Sequence, residues 1–284
     1  MIPGAFEYYR PRGVEDAIAI LQQHGDDARV MAGGHSLIPM MKLRMADVPH
    51  LIDLQDIASL KGITVSAGQV TLGAMVTQHE LINSAELREA APVLRETALQ
   101  IADPQVRYCG TIGGNVANGD PGNDMPALMQ CLDAEFTLVG PNGSRAIKAR
   151  EFYEAAYMTG REDDEILTAI RFDVSGAGYA YEKQKRKIGD YATAAAAVLL
   201  TRENGMCTGA SVALTNLSDV PVWSQAAGAA LEGTDCNDAA IKAAVKAALA
   251  EADPTEDNRG PVAFKLHVAG IIIERAIRTA WQRA

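Results

Sequence analysis

The chain is poor in aromatic residues and short of positive charge. Aromatic side chains make up 5% of its 284 residues, and 26 Lys and Arg face 36 Asp and Glu, a formal net charge of −10. Non-specific nucleic-acid binding depends on a basic surface, so this balance argues against it. No run approaches about 18 uninterrupted apolar residues, which excludes a predicted membrane span. Residues 1–7 lack a charged region followed by an apolar core, so we expect no export signal and a cytoplasmic location.

Closely spaced cysteines are also missing. The four cysteines, Cys109, Cys131, Cys207 and Cys236, form no C-x₂-C pair of the kind that holds zinc or an iron–sulfur cluster. We therefore predict free thiols and no metal ligands. His35 stands beside Ser36, but adjacent residues are not by default a nucleophile–base pair and no orienting third group is evident. No catalytic residue is predicted in this chain.

What the sequence does contain is a stretch rich in small polar residues, from Thr111 to Asp124. It holds four glycines and three asparagines and almost no bulky side chain, and the apolar spacing of residues 125–132 then predicts a helix. Glycine permits a close approach to the backbone, and the N-terminus of a helix attracts anions. The stretch is therefore predicted to be either an anion-binding loop or a plain surface loop capped by Asp124.

A second stretch of this kind lies near the N-terminus. A strand predicted over residues 28–32 leads into Gly33-Gly34-His35-Ser36 and then into a helix over residues 37–44. Neither the P-loop ending nor G-x-G-x-x-G is present. If backbone N–H groups of each stretch hold one phosphate, the pair suits a ligand with two phosphates, and a dinucleotide fits better than a mononucleotide. Asp124 would accept a hydrogen bond from a ribose or ribityl hydroxyl.

The remaining pattern predicts an α+β fold. Helices are expected over residues 11–25, 77–82 and 85–98, the last broken at Pro92, with an irregular region over residues 103–111 and a hairpin turning at residues 141–143. Ser175–Gly178 is the best boundary candidate. Beyond it we predict three antiparallel strands (residues 179–187, 192–201 and 207–214) backed by helices over residues 222–231, 237–252 and 262–281.

Several segments together resemble a known family. Ala32–Ser36 and Thr111–Asn115 resemble the paired flavin-binding loops of the molybdenum hydroxylases, the xanthine dehydrogenase relatives. Residues 2–11, 101–107, 118–129 and 185–195 resemble, within that family, the medium FAD-binding subunits of aerobic carbon monoxide dehydrogenases. The resemblance covers essentially the whole chain, and it is specific for the family but less so for the substrate.

The resemblance implies a fold and a cofactor. The fold would be the PCMH-type (vanillyl-alcohol-oxidase-type) FAD-binding domain, made of two α+β subdomains over residues 1–60 and 61–176, followed by a C-terminal α+β domain over residues 177–284. The cofactor would be FAD, and no attachment residue is evident, so we expect it to be non-covalent.

Site residues follow by transfer onto matching positions. The pyrophosphate would be held by the two loops, formed by Ala32, Gly33, Gly34, His35 and Ser36 and by Thr111, Ile112, Gly113, Gly114 and Asn115. Asp124 would hold a sugar hydroxyl, and Leu167 would lie near the adenine. Ile101 and Tyr191 would flank the flavin ring, with Lys185 as a contact from the third domain.

The resemblance also implies a role and partners. A large molybdenum-cofactor subunit and a small [2Fe-2S] subunit would join this chain in a dimer of heterotrimers, and electrons would leave through FAD to a quinone or a membrane cytochrome. The complex would be cytoplasmic, with attachment to the inner face of the membrane left open. Because the large subunit sets the substrate, a heterocycle or an aldehyde is the alternative to CO. A stand-alone flavin oxidoreductase and a non-catalytic assembly module are further alternatives, although intact Gly33, Gly34, Gly113 and Gly114 argue against a degenerate module.

Overall fold

The computed structural model describes residues 2–174, 176 and 178–284. The strands are β1 Glu7–Tyr9, β2 Ala28–Met31, β3 His50–Asp53, β4 Ile63–Ser66, β5 Gln69–Gly73, β6 Glu135–Gly140, β7 Gly143–Lys148, β8 Tyr153–Ala155, β9 Met158–Thr159, β10 Ile166–Asp173, β11 Gly178–Gln184, β12 Ala194–Glu203, β13 Met206–Thr215 and β14 Val222–Trp223. The helices are α1 Val14–His24, α2 Leu37–Lys42, α3 Gln78–Asn83, α4 Ala85–Ala90, α5 Pro92–Gln100, α6 Pro104–Cys109, α7 Ile112–Ala117, α8 Asp124–Cys131, α9 Gln225–Leu231, α10 Asp238–Ala250 and α11 Val262–Arg283.

A small parallel sheet in the order β1-β3-β2 opens the fold. Helix α1 turns its apolar stripe, including Ala17, Ile18 and Leu21, onto this sheet and Ile52. In a parallel sheet the carboxyl ends of the strands are where ligands bind. The Gly33–Ser36 loop directly follows the carboxyl end of β2, so the sheet delivers it to that edge.

A five-stranded sheet, β4-β5-β10-β6-β7, forms the centre of the molecule. Its inward side chains, among them Leu72, Phe136 and Ile170, share one core with helices α3, α4, α5, α7 and α8. Two sequence predictions are confirmed here. The helix predicted to start at Thr77 is present as α3, where Thr77 and Glu80 form a complete capping box, and the predicted helix of residues 85–98 is interrupted, because Pro92 starts the separate helix α5.

The C-terminal sheet has four strands rather than the predicted three, in the order β11-β12-β13-β14. The extra edge strand is Val222–Trp223, which pairs with β13 where a helix over residues 222–231 was predicted. The helix begins only at Gln225, because the Ser224 side chain accepts a hydrogen bond from the Ala227 N–H and so fixes the N-cap one residue earlier. Helices α9, α10 and α11 share a core with this sheet.

Two stretches predicted to be irregular contain short helices. Asp103 accepts a hydrogen bond from the Val106 N–H (3.0 Å) and starts α6. Thr111 caps α7 in the same way through the Gly114 N–H (3.0 Å). Glycine disfavours helix, but here the caps and the surrounding packing prevail over propensity.

The predicted domain boundary is only partly described. Ser175 and Ala177 lie outside the described residues, and the division at residues 60 and 176 stays a prediction. No helix in the described part of the chain combines the length and the apolar character needed to cross a membrane.

Candidate functional site

A cleft of about 580 Å³ runs between the three larger sheets, a volume within the range of about 300–1,000 Å³ usual for ligand pockets. It gathers most of the residues that the sequence predicted for the site. Those lining it are Ala32, Gly33, Gly34, His35, Ser36, Ile101, Thr111, Gly113, Gly114, Asn115, Asp124, Leu167 and Tyr191. Ile112 is instead buried in the core beneath the cleft, and Lys185 lies outside the lining.

The loop after β2 presents unpaired backbone donors. Among the described residues, the N–H groups of Gly33, Gly34, His35 and Ser36 donate no hydrogen bond, although buried or semi-buried amides normally find a partner. Gly34 has a φ of +72°, a left-handed conformation that glycine adopts without strain. Successive amides of this kind form a concavity suited to an anion such as a pyrophosphate.

The glycines are needed because the cleft walls touch. A Cβ added to Gly33 would lie 2.7 Å from the Cα atom of Gly110 and would overlap the carbonyl group of Cys109. A Cβ on Gly113 would lie 2.5 Å from that of Ala74. The backbones are thus in direct contact behind the cleft, and a side chain at either position has no room.

The second loop, Thr111–Asn115, differs from the prediction that both loops offer free backbone N–H groups to a phosphate. The N–H groups of Ile112, Gly113 and Asn115 donate to the carbonyls of Val76, Ala74 and Thr111, and that of Gly114 donates to the Thr111 hydroxyl. The prediction that this loop binds a phosphate through its N–H groups is therefore wrong, because those groups already donate within α7 and to neighbouring carbonyls. This loop offers its glycine surface instead, and the Asn115 side chain accepts from the Met125 N–H and so joins α7 to α8.

Asp124 is the centre of a buried polar cluster. It does not cap α8, as the surface-loop reading required: Asn123 holds the N-cap position and Asp124 is the first helical residue. Its Oδ1 accepts from the Tyr181 hydroxyl (2.5 Å) and its Oδ2 from Nζ of Lys183 (2.8 Å). Burial, followed by the charge of Asp124, raises the pKa of Tyr181 well above its usual value. Asp124 also lines the cleft, and the sugar contact stays a prediction.

Two lysines of the C-terminal domain lie near this cluster, and the contact from Lys185 stays a prediction. Lys183 lines the cleft, whereas Nζ of Lys185 donates to the side chain of Gln100 (2.7 Å). Burial, and then the charge of Lys183, lowers the pKa of Lys185. A signal was available in the sequence: residues two apart on a strand share a face, so Lys183 on β11 points the same way as Tyr181.

The cleft lining includes residues that the sequence did not predict. Leu167, which is buried, lines the cleft together with Arg161 and Glu165, two residues that sequence reasoning missed. Glu165 accepts both hydrogen bonds of a bidentate pair with Arg145, each 2.6 Å long. The lining also includes Ile101, which is buried, and Tyr191, which is 40% exposed. Burial, with the charge of Asp120, raises the pKa of Tyr191 to about 12.

Comparison with known proteins defines the class. Residues 4–173 match the family described as the FAD binding domain in molybdopterin dehydrogenase, and residues 179–280 match the CO dehydrogenase flavoprotein C-terminal domain. The chain belongs to this family of FAD-binding subunits and is a flavoprotein. The α+β fold expected from the sequence is confirmed.

Comparison with individual relatives shows which members of the family this chain resembles most strongly among those compared. The chain is 54% identical to the carbon monoxide dehydrogenase medium chain of Afipia carboxidovorans, covering 100% of this chain and 99% of the relative. It superposes on a chain of the reconstituted CO dehydrogenase from Oligotropha carboxidovorans with a TM-score of 0.98, at 55% identity and full coverage of both. Caffeine dehydrogenase subunit beta of a Pseudomonas species is 32% identical, over 100% of this chain and 97% of the relative.

Proposed function

We propose that this chain is the FAD-carrying medium chain of an aerobic carbon monoxide dehydrogenase, assembled with a large molybdenum subunit and a small [2Fe-2S] subunit. The observation that carries the proposal is identity of 54% over the whole chain to a protein of that name. Membership of a complex with another substrate, a heterocycle or an aldehyde, is the second candidate. It is favoured by the full-length relative named for caffeine, but at the lower identity of 32%.

The cleft fits FAD on its own geometry. The free N–H groups of the Gly33–Ser36 loop are suited to the pyrophosphate, whose two charges need several donors. We assign Asp124 to a sugar hydroxyl, Leu167 to the adenine side, and Ile101 and Tyr191 to the flavin ring. Lys183 lines this part of the cleft, and Lys185 stays the proposed contact from the third domain.

The protein's contribution is binding and orientation. FAD, when bound, supplies the redox chemistry that connects the clusters of the small subunit to a quinone or cytochrome acceptor. The residues of this chain hold that group, shield it from water and set its electrostatic surroundings through the buried pair of Lys183 and Asp124. No residue of this chain need act on CO.

Assembly with partners tests the proposal. The chain is coexpressed with its large and small subunits, and reduction of an artificial dye is followed with CO, with a heterocycle and with an aldehyde as donor. CO-dependent reduction supports the proposal. Reduction with an organic donor alone would replace it by the second candidate, and turnover of an organic substrate by the isolated chain would establish a stand-alone oxidoreductase. Native mass measurement tests the dimer of heterotrimers.

Non-covalent attachment of FAD has a separate test. We expect acid precipitation of the purified complex to release all flavin absorbance into the supernatant. Flavin that stays with the precipitated chain would overturn this part of the proposal.

A further inference from the structure

Tyr191 stands at the mouth of the cleft with little support from its own segment. It belongs to residues 185–193, the mouth loop between β11 and β12, which also places Gly189 and Asp190 in the lining. Among the hydrogen bonds of the described residues, none involves the Tyr191 hydroxyl. The ring packs against Gly122, where an added Cβ would lie 3.0 Å from Cδ1. The position of the Tyr191 ring therefore depends on contacts from residues outside the mouth loop.

A distant segment reaches this ring. Residues 253–260, here called the strap, connect α10 to α11, and the guanidinium carbon of Arg259 lies 5.4 Å from the centre of the Tyr191 ring. That separation is within the range of about 6 Å for a cation–π contact. The strap touches the mouth loop at a second point, because Arg186 donates to the Asn258 carbonyl (2.8 Å) and to Asp190 (2.9 Å).

Arg259 is itself held from the core. Asp257 accepts from the backbone N–H of Arg259 (2.8 Å) and from its Nη1 (2.6 Å). Nζ of Lys265 lies 3.1 Å from Asp257 and donates to the Thr255 carbonyl (2.7 Å). Lys265 is on α11 and is 1% exposed.

Burying the charge of Lys265 costs free energy of folding, so the stability of the protein alone does not account for it. Replacing a buried ion pair by apolar residues of similar volume is often neutral or stabilising, whereas a buried charge with fixed partners specifies one arrangement. Lys265 fixes Asp257, and Asp257 fixes Arg259, so the pairing transmits the geometry of α11 to the cleft mouth.

We propose that Arg259 is a positioning residue for Tyr191, and that Lys265 and Asp257 keep the strap in the conformation that places it. The inference rests on the proposed function, since it takes Tyr191 to flank the flavin ring. With the strap fixed, Tyr191 covers the flavin end of the cleft and slows the release of FAD.

The test is a double-mutant cycle on FAD release from the assembled complex. Arg259→Met and Tyr191→Leu are made singly and together, and the dissociation rate of FAD is followed by the rise in flavin fluorescence. Each single variant is expected to raise the rate about two- to fivefold, as for one cation–π contact. The double variant is expected to match the single ones rather than their product.

Arg202→Met is the matched control. Arg202 lies 4.6 Å from the ring centre of Trp281, a pair that does not line the cleft, so its loss is expected to leave FAD release unchanged. Lys265→Met is expected to raise the rate as Arg259→Met does, and thermal unfolding of the complex reports any general loss of stability.

The outcomes separate the two hypotheses. Release from Arg259→Met at the wild-type rate, or effects of Arg259→Met and Tyr191→Leu that multiply, would overturn the positioning role while leaving the proposed function intact. A wild-type complex without FAD would remove the proposed function and with it this inference.

Discussion

Nζ of Lys183 lies 2.8 Å from Oδ2 of Asp124, and the two side chains are 1% and 6% exposed. The Tyr181 hydroxyl donates to the other carboxylate oxygen. Taking an ammonium and a carboxylate out of water costs several kcal/mol each, and their pairing offsets that cost only while both are present. The pair therefore ties β11 of the C-terminal sheet to the start of α8.

Breaking the pair from one side is the first prediction. Lys183→Met leaves Asp124 buried without its counter-charge and is expected to lower the free energy of unfolding by about 3–5 kcal/mol. Adding Asp124→Asn should recover part of the loss, because no uncompensated charge remains. Urea unfolding measures both, with exposed Lys187→Met as the control. Losses that simply add in the double variant would contradict the coupling.

The contact between Gly33 and Gly110 gives a second prediction. Gly33→Ala forces a Cβ to within 2.7 Å of the Gly110 Cα, and overpacking of this kind costs about 1–3 kcal/mol. Stability and FAD retention should fall together, because the wall of the cleft has to move. Gly176→Ala is the control, since its added Cβ meets nothing within 4 Å. Normal stability with lost FAD would mean that Gly33 serves the ligand alone.

The N-cap of α7 at Thr111 gives a third prediction. Thr111→Val keeps the shape of the side chain but removes the oxygen that accepts from the Gly114 N–H, and loss of such a cap costs about 1 kcal/mol. Thr111→Ser should restore the stability. Calorimetric unfolding measures the difference. An equal loss in Thr111→Ser would point to the methyl group rather than the hydroxyl.

A fourth prediction concerns alkaline pH. Burial and the charge of Asp124 raise the pKa of Tyr181 in the folded protein. Above the unfolded pKa of 10.0 the unfolded chain releases this proton first, so the stability that Tyr181 contributes is complete below pH 10 and declines as pH rises toward the folded pKa. Tyr181→Phe should make the loss of stability above pH 10 less steep. Identical slopes in a pH series of unfolding measurements would refute this.

Short sequence patterns were enough to predict much of the secondary structure. The helix that starts at Thr77 and the interruption at Pro92 appear in the structure as the sequence predicted them, because both depend on neighbours within four residues. The edge strand Val222–Trp223 was missed because two residues carry no readable alternation, and its pairing with β13 is a tertiary matter.

The sequence predicted which residues line the site better than it predicted the hydrogen bonds that those residues make. Glycines in the Thr111–Asp124 stretch suggested a loop of free amides, yet the Thr111 cap and the neighbouring carbonyls of Ala74 and Val76 turn part of it into helix. Those partners are far apart in sequence and become visible only in three dimensions. The strap is similar: nothing in a polar connection between two helices predicts that Arg259 reaches Tyr191.

The backbone contact behind Gly33 has a consequence for how a cofactor gets in. Two walls that already touch at Gly33 and Gly110 have no freedom to part there without breaking the molecule open. We therefore expect a cofactor to enter and leave with this contact intact, past exposed residues of the lining such as Tyr191, which is 40% exposed. The cofactor would then exchange through the part of the cleft away from this contact, and the rate of exchange would be set by the residues there.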